Sequence, residues 1–139
     1  MKDTNDGPAS EGTHVVTIEL SNDLTMIAYT RMVLRQVLPA LDEDTSSMYY
    51  GAVTEILTNA IEAHESAATS DVVIVEANLD PPCTISVHDK GAGFDPSLRL
   101  PRAGVESGMG LAIARSVIPG LTIDSSSSGT SIHLPYPTT

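Results

Sequence analysis

The sequence predicts an α+β fold, a two-layer α/β sandwich in which helices cover one face of a mainly antiparallel mixed sheet. Its apolar pattern changes between a period of two and a period near 3.6, in the order strand, helix, helix, strand, strand, long loop, helix, strand, strand. Most of the strands follow one another through short turns, which is typical of hairpin-connected sheets. With 139 residues, the chain is long enough to bury a core as one domain.

The first predicted elements are a strand and a helix. The strand is "HVVTIELS", His14 to Ser21, which alternates and is rich in β-branched residues. The helix runs from Asp23 to about Leu38, with Ser21 or Asn22 as its N-cap and a proline after its end.

Two arginines of this helix, Arg31 and Arg35, lie one turn apart on the side opposite its apolar residues. They share that side with Leu24 and Ala28. This side is either solvated surface or a patch that contacts a partner protein.

A longer helix is predicted from Ser46 to about Ser66, with Asp44 or Thr45 as its N-cap. It has one apolar side, made of Val53, Ile56, Leu57, Ala60 and Ile61. Its polar stripe consists of Glu55, Thr58, Asn59, Glu62 and Ser66. Periodicity alone predicts that this polar stripe faces solvent.

The second half of the chain contains two predicted strand pairs. Strands at Val72 to Leu79 and Thr84 to Asp89 are joined by an Asp-Pro-Pro turn. A helix follows from about Gly110 to Val117 and ends before a Pro-Gly pair. The last hairpin has strands at Leu121 to Ser125 and Thr130 to Leu134.

Composition predicts a disordered leader over residues 1–13 and a single domain over residues 14–137. Hydrophobic residues make up 41% of the chain, and no apolar run is long enough to span a membrane. The leader has no apolar segment typical of a secretory signal, and Cys83 is the single cysteine. The expected location is therefore the cytoplasm, with no membrane association.

The charge balance disfavours nucleic acid as a partner. Eighteen acidic and seven basic side chains give a net charge of −11, which repels phosphate backbones. Four of the basic residues, Lys90, Arg99, Arg102 and Arg115, nevertheless lie close together in a glycine-rich stretch. This concentration indicates either a small anionic ligand or ordinary surface charge.

Three common sites are excluded by their spacing. No Gly-Lys pair occurs, so there is no P-loop, and "GAGFDP" lacks the third glycine and the helix start of a dinucleotide fingerprint. The histidines and the cysteine are scattered without metal-ligand spacing.

Four segments follow one another along the chain: "EILTNAIEAH", "DKGAGF", "GMGL" and "SSGTSIHL", the last with a Gly-Thr pair on the final hairpin. The first three resemble, in order, the N box, the D-x-G-x-G box and the second glycine box of the GHKL superfamily of ATP-binding domains, which also has a Gly-Thr on its last hairpin. Each segment lies on the element type that the family requires. The resemblance implies the Bergerat-type ATP-binding fold, with ATP and Mg²⁺ as cofactors.

The resemblance assigns the adenine end of the site to Asp89 and Thr130. Asp89 ends a strand, where its carboxylate can accept a hydrogen bond from the amine of adenine. Gly91 and Gly93 would let the backbone approach the base.

The phosphate end is assigned to Gly108, Met109, Gly110 and Leu111, which open a helix whose first N–H groups attract anions. The long stretch between Gly93 and Gly108 is a candidate lid. Lys90, Arg99 and Arg102 are its candidate phosphate contacts or solvated cations, and the sequence does not choose among them.

On the long helix, the resemblance places Asn59 as the ligand of Mg²⁺ and Glu55 as the general base for in-line attack. Glu62 and His64 are interpreted as surface residues or as residues behind the site.

Among family members, the chain looks most like the bacterial anti-sigma factor serine/threonine kinases. Only a strand and one helix precede the N box, and no transducer domain or phospho-accepting helix is seen. The implied function is to sequester a sigma factor and to phosphorylate a serine of a small antagonist protein, as a possible homodimer. The alternatives are a catalytically silent ATP-dependent binding module and the ATPase domain of a histidine-kinase-like system.

Overall fold

The structure, a computed structural model, describes residues 14–91 and 114–137. The elements in these ranges are β1 (Val15–Leu20), α1 (Met26–Val37), α2 (Glu43–Ser66), β2 (Val73–Asn78), β3 (Thr84–Asp89), β4 (Thr122–Ser126) and β5 (Gly129–Pro135). Residues 114–117 are also helical, as predicted for the end of the third helix. The predicted leader and the start of that helix lie outside the described residues.

The five strands form one sheet in the order β1-β2-β3-β5-β4, and each neighbouring pair is antiparallel. Helix α2 packs against β3, the central strand, and α1 packs against β1 and α2. The predicted α+β sandwich is therefore confirmed. Within the described ranges, no helix is long and apolar enough to cross a membrane.

The core lies between the sheet and the two helices. Alternate residues of the central strands, such as Val75 and Ile85, are fully buried, and Leu57 and Ile61 of α2 pack into the same cluster. The other face of the sheet carries polar side chains, including His88, which bonds to the hydroxyl of a serine on β5 at 2.8 Å. This alternation of apolar and polar residues is what fixes the register of each strand.

Helix α2 begins three residues earlier than the sequence predicted. Its N-cap is Asp42, whose carboxylate accepts hydrogen bonds of 2.8 Å from both the backbone N–H and the hydroxyl of Thr45. The prediction of Asp44 or Thr45 as the cap is therefore wrong. Asp42 satisfies the backbone N–H of Thr45. Asp44 lies in the first turn of α2, where the helix dipole stabilises a carboxylate.

Helix α1 begins later than predicted, at Met26 rather than at Asp23. The carboxylate of Asp23 accepts hydrogen bonds from the backbone N–H and the hydroxyl of Thr25, which makes a turn before the helix. Asn22 does not cap the helix either, because its amide donates to the carbonyl of Thr69 at 3.0 Å. Both predicted caps, Ser21 and Asn22, are therefore wrong.

Three tyrosines anchor the first turns of α2 to the end of β5. The ring centroid of Tyr49 lies 5.5 Å from that of Tyr50 and 5.1 Å from that of Tyr136. The hydroxyl of Tyr136 donates to the carbonyl of Pro39, so it accepts from the hydroxyl of Tyr50 at 3.2 Å. Burial raises the pKa of both Tyr49 and Tyr50, which remain neutral donors. This cluster fixes α2 over the sheet.

The other end of α2 is held against the residues that follow β3. Gly91 is buried beside Ala63, and a Cβ at this glycine would lie 2.8 Å from the Ala63 Cβ and 3.1 Å from the Ala63 carbonyl oxygen. No side chain larger than hydrogen fits there unless α2 moves. The contact therefore sets the distance between the end of β3 and the helix.

We expect Asp42→Ala to lower the midpoint of thermal unfolding at neutral pH more than Asp44→Ala does. Hydrogen bonds from Thr45 hold the pKa of Asp42 below its usual value. Because the folded-state pKa is depressed, the stabilisation is present above the ordinary carboxyl pKa and is lost as the pH falls through the folded-state value. The two variants should converge in acid, and equal effects at neutral pH would contradict the assignment of the cap.

Gly91→Ala should lower the free energy of unfolding by about 1–3 kcal/mol, because the added methyl group overpacks the contact with α2. The matched control is Gly51→Ala, since Gly51 lies inside α2 with nothing within 4 Å of its Cβ position. That control should raise stability by about 0.5–1 kcal/mol through helix propensity. Denaturant titration measures both, and a neutral or stabilising Gly91→Ala would show that the contact is loose.

Candidate functional site

Three polar side chains form a row across neighbouring strands on the helix side of the sheet. Asp89 at the end of β3 is the register partner of Thr130 on β5, and Thr130 is the partner of Ser125 on β4. The hydroxyls of Ser125 and Thr130 are 2.7 Å apart. The Asp89 row therefore offers a carboxylate and two hydroxyls at one edge of the core.

The Asp89 carboxylate is held by the backbone that follows it. Its Oδ1 accepts a hydrogen bond from the Gly91 N–H at 2.9 Å. Burial raises the pKa of Asp89 above its usual value, and backbone hydrogen bonds at Gly91 and Thr130 partly offset the increase. A partly buried carboxylate that is oriented by backbone N–H groups can accept a further hydrogen bond from a ligand.

A glycine in the last hairpin allows the strands to come together at this point. Gly129 has φ +147°, a conformation that residues with a side chain rarely adopt. A Cβ at this position would collide with the backbone carbonyl of Asp89 and would lie 3.2 Å from the Cα of Lys90. Gly129 thus lets the hairpin pack directly against the end of β3.

The polar stripe of α2 leads away from the Gly91 contact. Asn59 lies one turn and Glu55 two turns before Ala63, roughly 6 Å and 12 Å along the helix axis. Positions with this spacing share one side of a helix. Glu55, Asn59 and Ala63 therefore share one side of α2, and Ala63 contacts Gly91, two residues after Asp89.

Asn59 can contribute one oxygen to a metal ion. Its Oδ1 is a buried amide oxygen, a ligand type that Mg²⁺ accepts. In the described part of the chain, no group of three or more His, Cys, Asp or Glu side chains is arranged to hold a metal. The residues thus fit Mg²⁺ that takes its other ligands from phosphates and water, rather than a metal held in a protein cage.

Five of the predicted site residues are described. The structure brings Asp89, Gly91 and Thr130 together at the sheet edge and places Asn59 and Glu55 along α2. Lys90 is exposed beside them, and Glu62 is exposed as predicted. The other predicted site residues lie outside the described residues: Gly93, Gly108, Met109, Gly110 and Leu111, with the candidate cations Arg99 and Arg102.

Sequence reasoning missed one residue of this region and left the position of another open. Ser125 was part of a serine run, although pairing the two predicted strands of the last hairpin would have placed it opposite Thr130. His64 was interpreted as a surface residue or one behind the site, and its full burial excludes the first of these alternatives. Its spacing from Leu57 and Ile61 is that of the apolar side of α2, which was the available signal.

The Asp89 row presents a carboxylate and two hydroxyls, which can form hydrogen bonds with a polar group of a ligand. On α2, Glu55 carries a carboxylate and Asn59 an amide, groups that can take part in proton transfer and in metal binding.

Comparisons with solved structures agree with this fold. The RsbU and RsbW domains of Rv1364c from Mycobacterium tuberculosis superpose with a TM-score of 0.61 and 22% identity, over 89% of this chain and 32% of that chain. The histidine kinase domain of the Erythrobacter litoralis EL346 blue-light activated histidine kinase gives a TM-score of 0.53 and 19% identity, over 91% and 68%. This chain thus spans about a third of the first of these proteins.

A match to a protein family covers most of the chain. The sequence profile of the histidine kinase-like ATPase domain matches residues 20–135, from the end of β1 to the end of β5. The comparison with curated proteins gives no match. The resemblance to GHKL domains is confirmed, and the chain belongs to the histidine kinase-like ATPase domain family.

Proposed function

We propose that this protein is an anti-sigma factor kinase that binds MgATP, sequesters a sigma factor and phosphorylates a serine of a small antagonist protein. One observation carries the proposal: the segment that follows Asp89 contacts α2 at Ala63, one turn from Asn59 and two turns from Glu55. The family match supports ATP as the ligand, and the similarity to a structure that contains an RsbW domain supports the choice of kinase.

Asp89 and its neighbours would bind the adenine. Backbone N–H groups at Gly91 and Thr130 orient the carboxylate, which then accepts a hydrogen bond from the exocyclic amine. The Thr130 hydroxyl is buried and next to that of Ser125, so the pair can donate one hydrogen bond to the base or to a shared water. The site would thus recognise an amine that lies next to a ring nitrogen accepting a hydrogen bond.

Glu55 and Asn59 would act on the phosphate end. Mg²⁺, when bound, neutralises the phosphates and draws electrons from the transferred group. Asn59 supplies one oxygen to it, and Glu55 takes the proton from the attacking serine hydroxyl onto a carboxylate oxygen. Both residues lie on one helix that is anchored at Tyr49, which donates to the carbonyl of Leu134, and at Ala63, which contacts Gly91.

We propose that the Arg groove, the cleft between α1 and α2 that contains Arg31 and Arg35, contributes to the partner surface. Its volume is about 620 Å³. Arg31 donates to the Thr54 hydroxyl at 3.0 Å, and the Arg35 guanidinium lies 4.7 Å from the centroid of the Tyr50 ring. These contacts hold two cations in place in a groove that Glu43 also lines, and the two cations suit an acidic segment of the antagonist.

The decisive experiment mixes the protein, MgATP labelled in the γ-phosphate and the small antagonist-like protein encoded nearest to its gene. Transfer of acid-stable label to a serine of the antagonist is expected. Acid-labile label on a histidine would instead support the histidine-kinase-like alternative, which the similarity to a histidine kinase domain favours. Tight ATP binding without any transfer would support a silent binding module.

Asp89→Asn should weaken ATP binding about tenfold to a hundredfold, the loss of one hydrogen bond to a charged acceptor of about 1.5–3 kcal/mol. The backbone donors at Gly91 and Thr130 would claim the amide oxygen, so the NH₂ group would face the amine of adenine. Calorimetric titration measures the affinity for ATP. The control is Asp124→Asn, because Asp124 is exposed on the other face of the sheet. An unchanged affinity in Asp89→Asn would place the adenine elsewhere.

The same variant should make the ligand-free protein more stable at neutral pH. Burial raises the pKa of Asp89 in the folded state, so stability falls as the pH rises from the ordinary carboxyl pKa through the raised value. The asparagine side chain of the variant has no charge to desolvate, so its stability does not fall in this way. Thermal unfolding of the two proteins should therefore differ at neutral pH and converge in acid.

Glu55→Ala should lower the rate of phosphotransfer by about 10²–10⁴ while ATP still binds, because the general base is lost and the binding groups remain. The control is Glu62→Ala, which removes an exposed carboxylate of the same polar stripe. Rates come from single-turnover transfer of label to the antagonist. Equal rates in wild type and Glu55→Ala would assign the base to another residue.

A further inference from the structure

His64 has an environment that fixes both of its ring nitrogens. The side chain is fully buried near the end of α2. Its Nε2 lies 2.7 Å from the backbone nitrogen of Lys90, which can only donate, so Nε2 accepts. The proton is then on Nδ1, which donates to the Oδ1 of Asn22 at 2.9 Å. His64 is therefore a neutral imidazole with a single defined tautomer.

Asn22 confirms the direction of this chain of hydrogen bonds. Its Nδ2 donates at 3.0 Å to the backbone carbonyl of Thr69, which can only accept. The Oδ1 of Asn22 therefore faces His64. Backbone groups thus determine both ends of the chain, from the Lys90 N–H through His64 and Asn22 to the Thr69 carbonyl.

This chain of hydrogen bonds controls the backbone next to Asp89. Lys90 directly follows Asp89, and the next N–H, that of Gly91, holds the Asp89 carboxylate. Gly91 itself rests on Ala63, the residue before His64. Two neighbouring residues of α2 thus hold the two peptide groups that orient Asp89. If the bond to His64 were lost, the Lys90 peptide could rotate and carry the Gly91 N–H with it.

We propose that His64 is a positioning residue for adenine recognition, acting through the Lys90 and Gly91 backbone to aim the Asp89 carboxylate. This role rests on the proposed nucleotide-binding function. It is specific to the base, because the phosphate end of the site is assigned to other residues, Asn59 and Glu55. Loss of His64 therefore removes preference for the amine of adenine rather than affinity for nucleotides in general.

The test compares two ligands that differ at one group. Affinities for ADP and for purine riboside diphosphate, which has hydrogen in place of the amine, are measured by calorimetry in the presence of Mg²⁺. The wild type should prefer ADP by about tenfold to a hundredfold. In His64→Leu the ratio of the two affinities should fall close to one. His64→Gln, whose amide oxygen can still accept from Lys90, should recover most of it. His133→Gln removes an exposed histidine and should match the wild type.

An equal loss of affinity for both ligands in His64→Leu would show a merely structural role and would overturn the proposal. A wild type that binds neither ligand would overturn the proposed function itself and this role with it. A second measurement needs neither ligand nor variant. Nitrogen NMR of the wild type should show His64 protonated at Nδ1 and bare at Nε2, with a Lys90 amide that exchanges slowly. A proton on Nε2 would overturn the proposal even if ADP binds.

Discussion

The arrangement of the site depends on how closely the end of β3 approaches α2. Gly91 and Ala63 are in contact, with only hydrogen and methyl groups between two backbones. A larger residue on either side would separate the strand end from the helix, and the Lys90 N–H would no longer reach His64 at 2.7 Å. Because packed interiors leave little room for adjustment, one glycine–alanine contact determines where Asp89 lies relative to Asn59 and Glu55.

The sheet register supplies the second half of the site. Antiparallel pairing of β3, β5 and β4 puts Asp89, Thr130 and Ser125 side by side without any contribution from the helices. A shift of one residue in any of these strands would turn its member of the row to the opposite face, where His88 and His133 now lie. The buried residues beside the row, such as Val87 and Ile132, prevent that shift because they must stay in the core. The packing of the core therefore also fixes the positions of the three side chains of the Asp89 row.

Most of the fold could be predicted from the sequence because its signals are local. Alternation and turn residues gave β3 its correct bounds, and the two sides of α2 separated the core from the polar stripe. The helix caps were not predictable in this way, since several Ser, Thr, Asn and Asp residues compete at each start and tertiary contacts choose among them. Asn22 is an example, because its partners Thr69 and His64 are more than forty residues away. For His64, polarity left a surface position open, whereas its spacing on the apolar side of α2 favours burial.

Three features near the site go against what local chemistry favours. A partly buried carboxyl has its pKa raised by burial, a histidine is fully buried, and Gly129 has a φ of +147°. The carboxyl and the histidine carry a cost of desolvation, and the φ of Gly129 is one that only glycine adopts without strain. All three contact the same short backbone segment, Asp89 to Gly91, directly or through one hydrogen bond. Their concentration at one strand end supports the proposed role of this segment in ligand recognition, because most of the other buried residues are apolar.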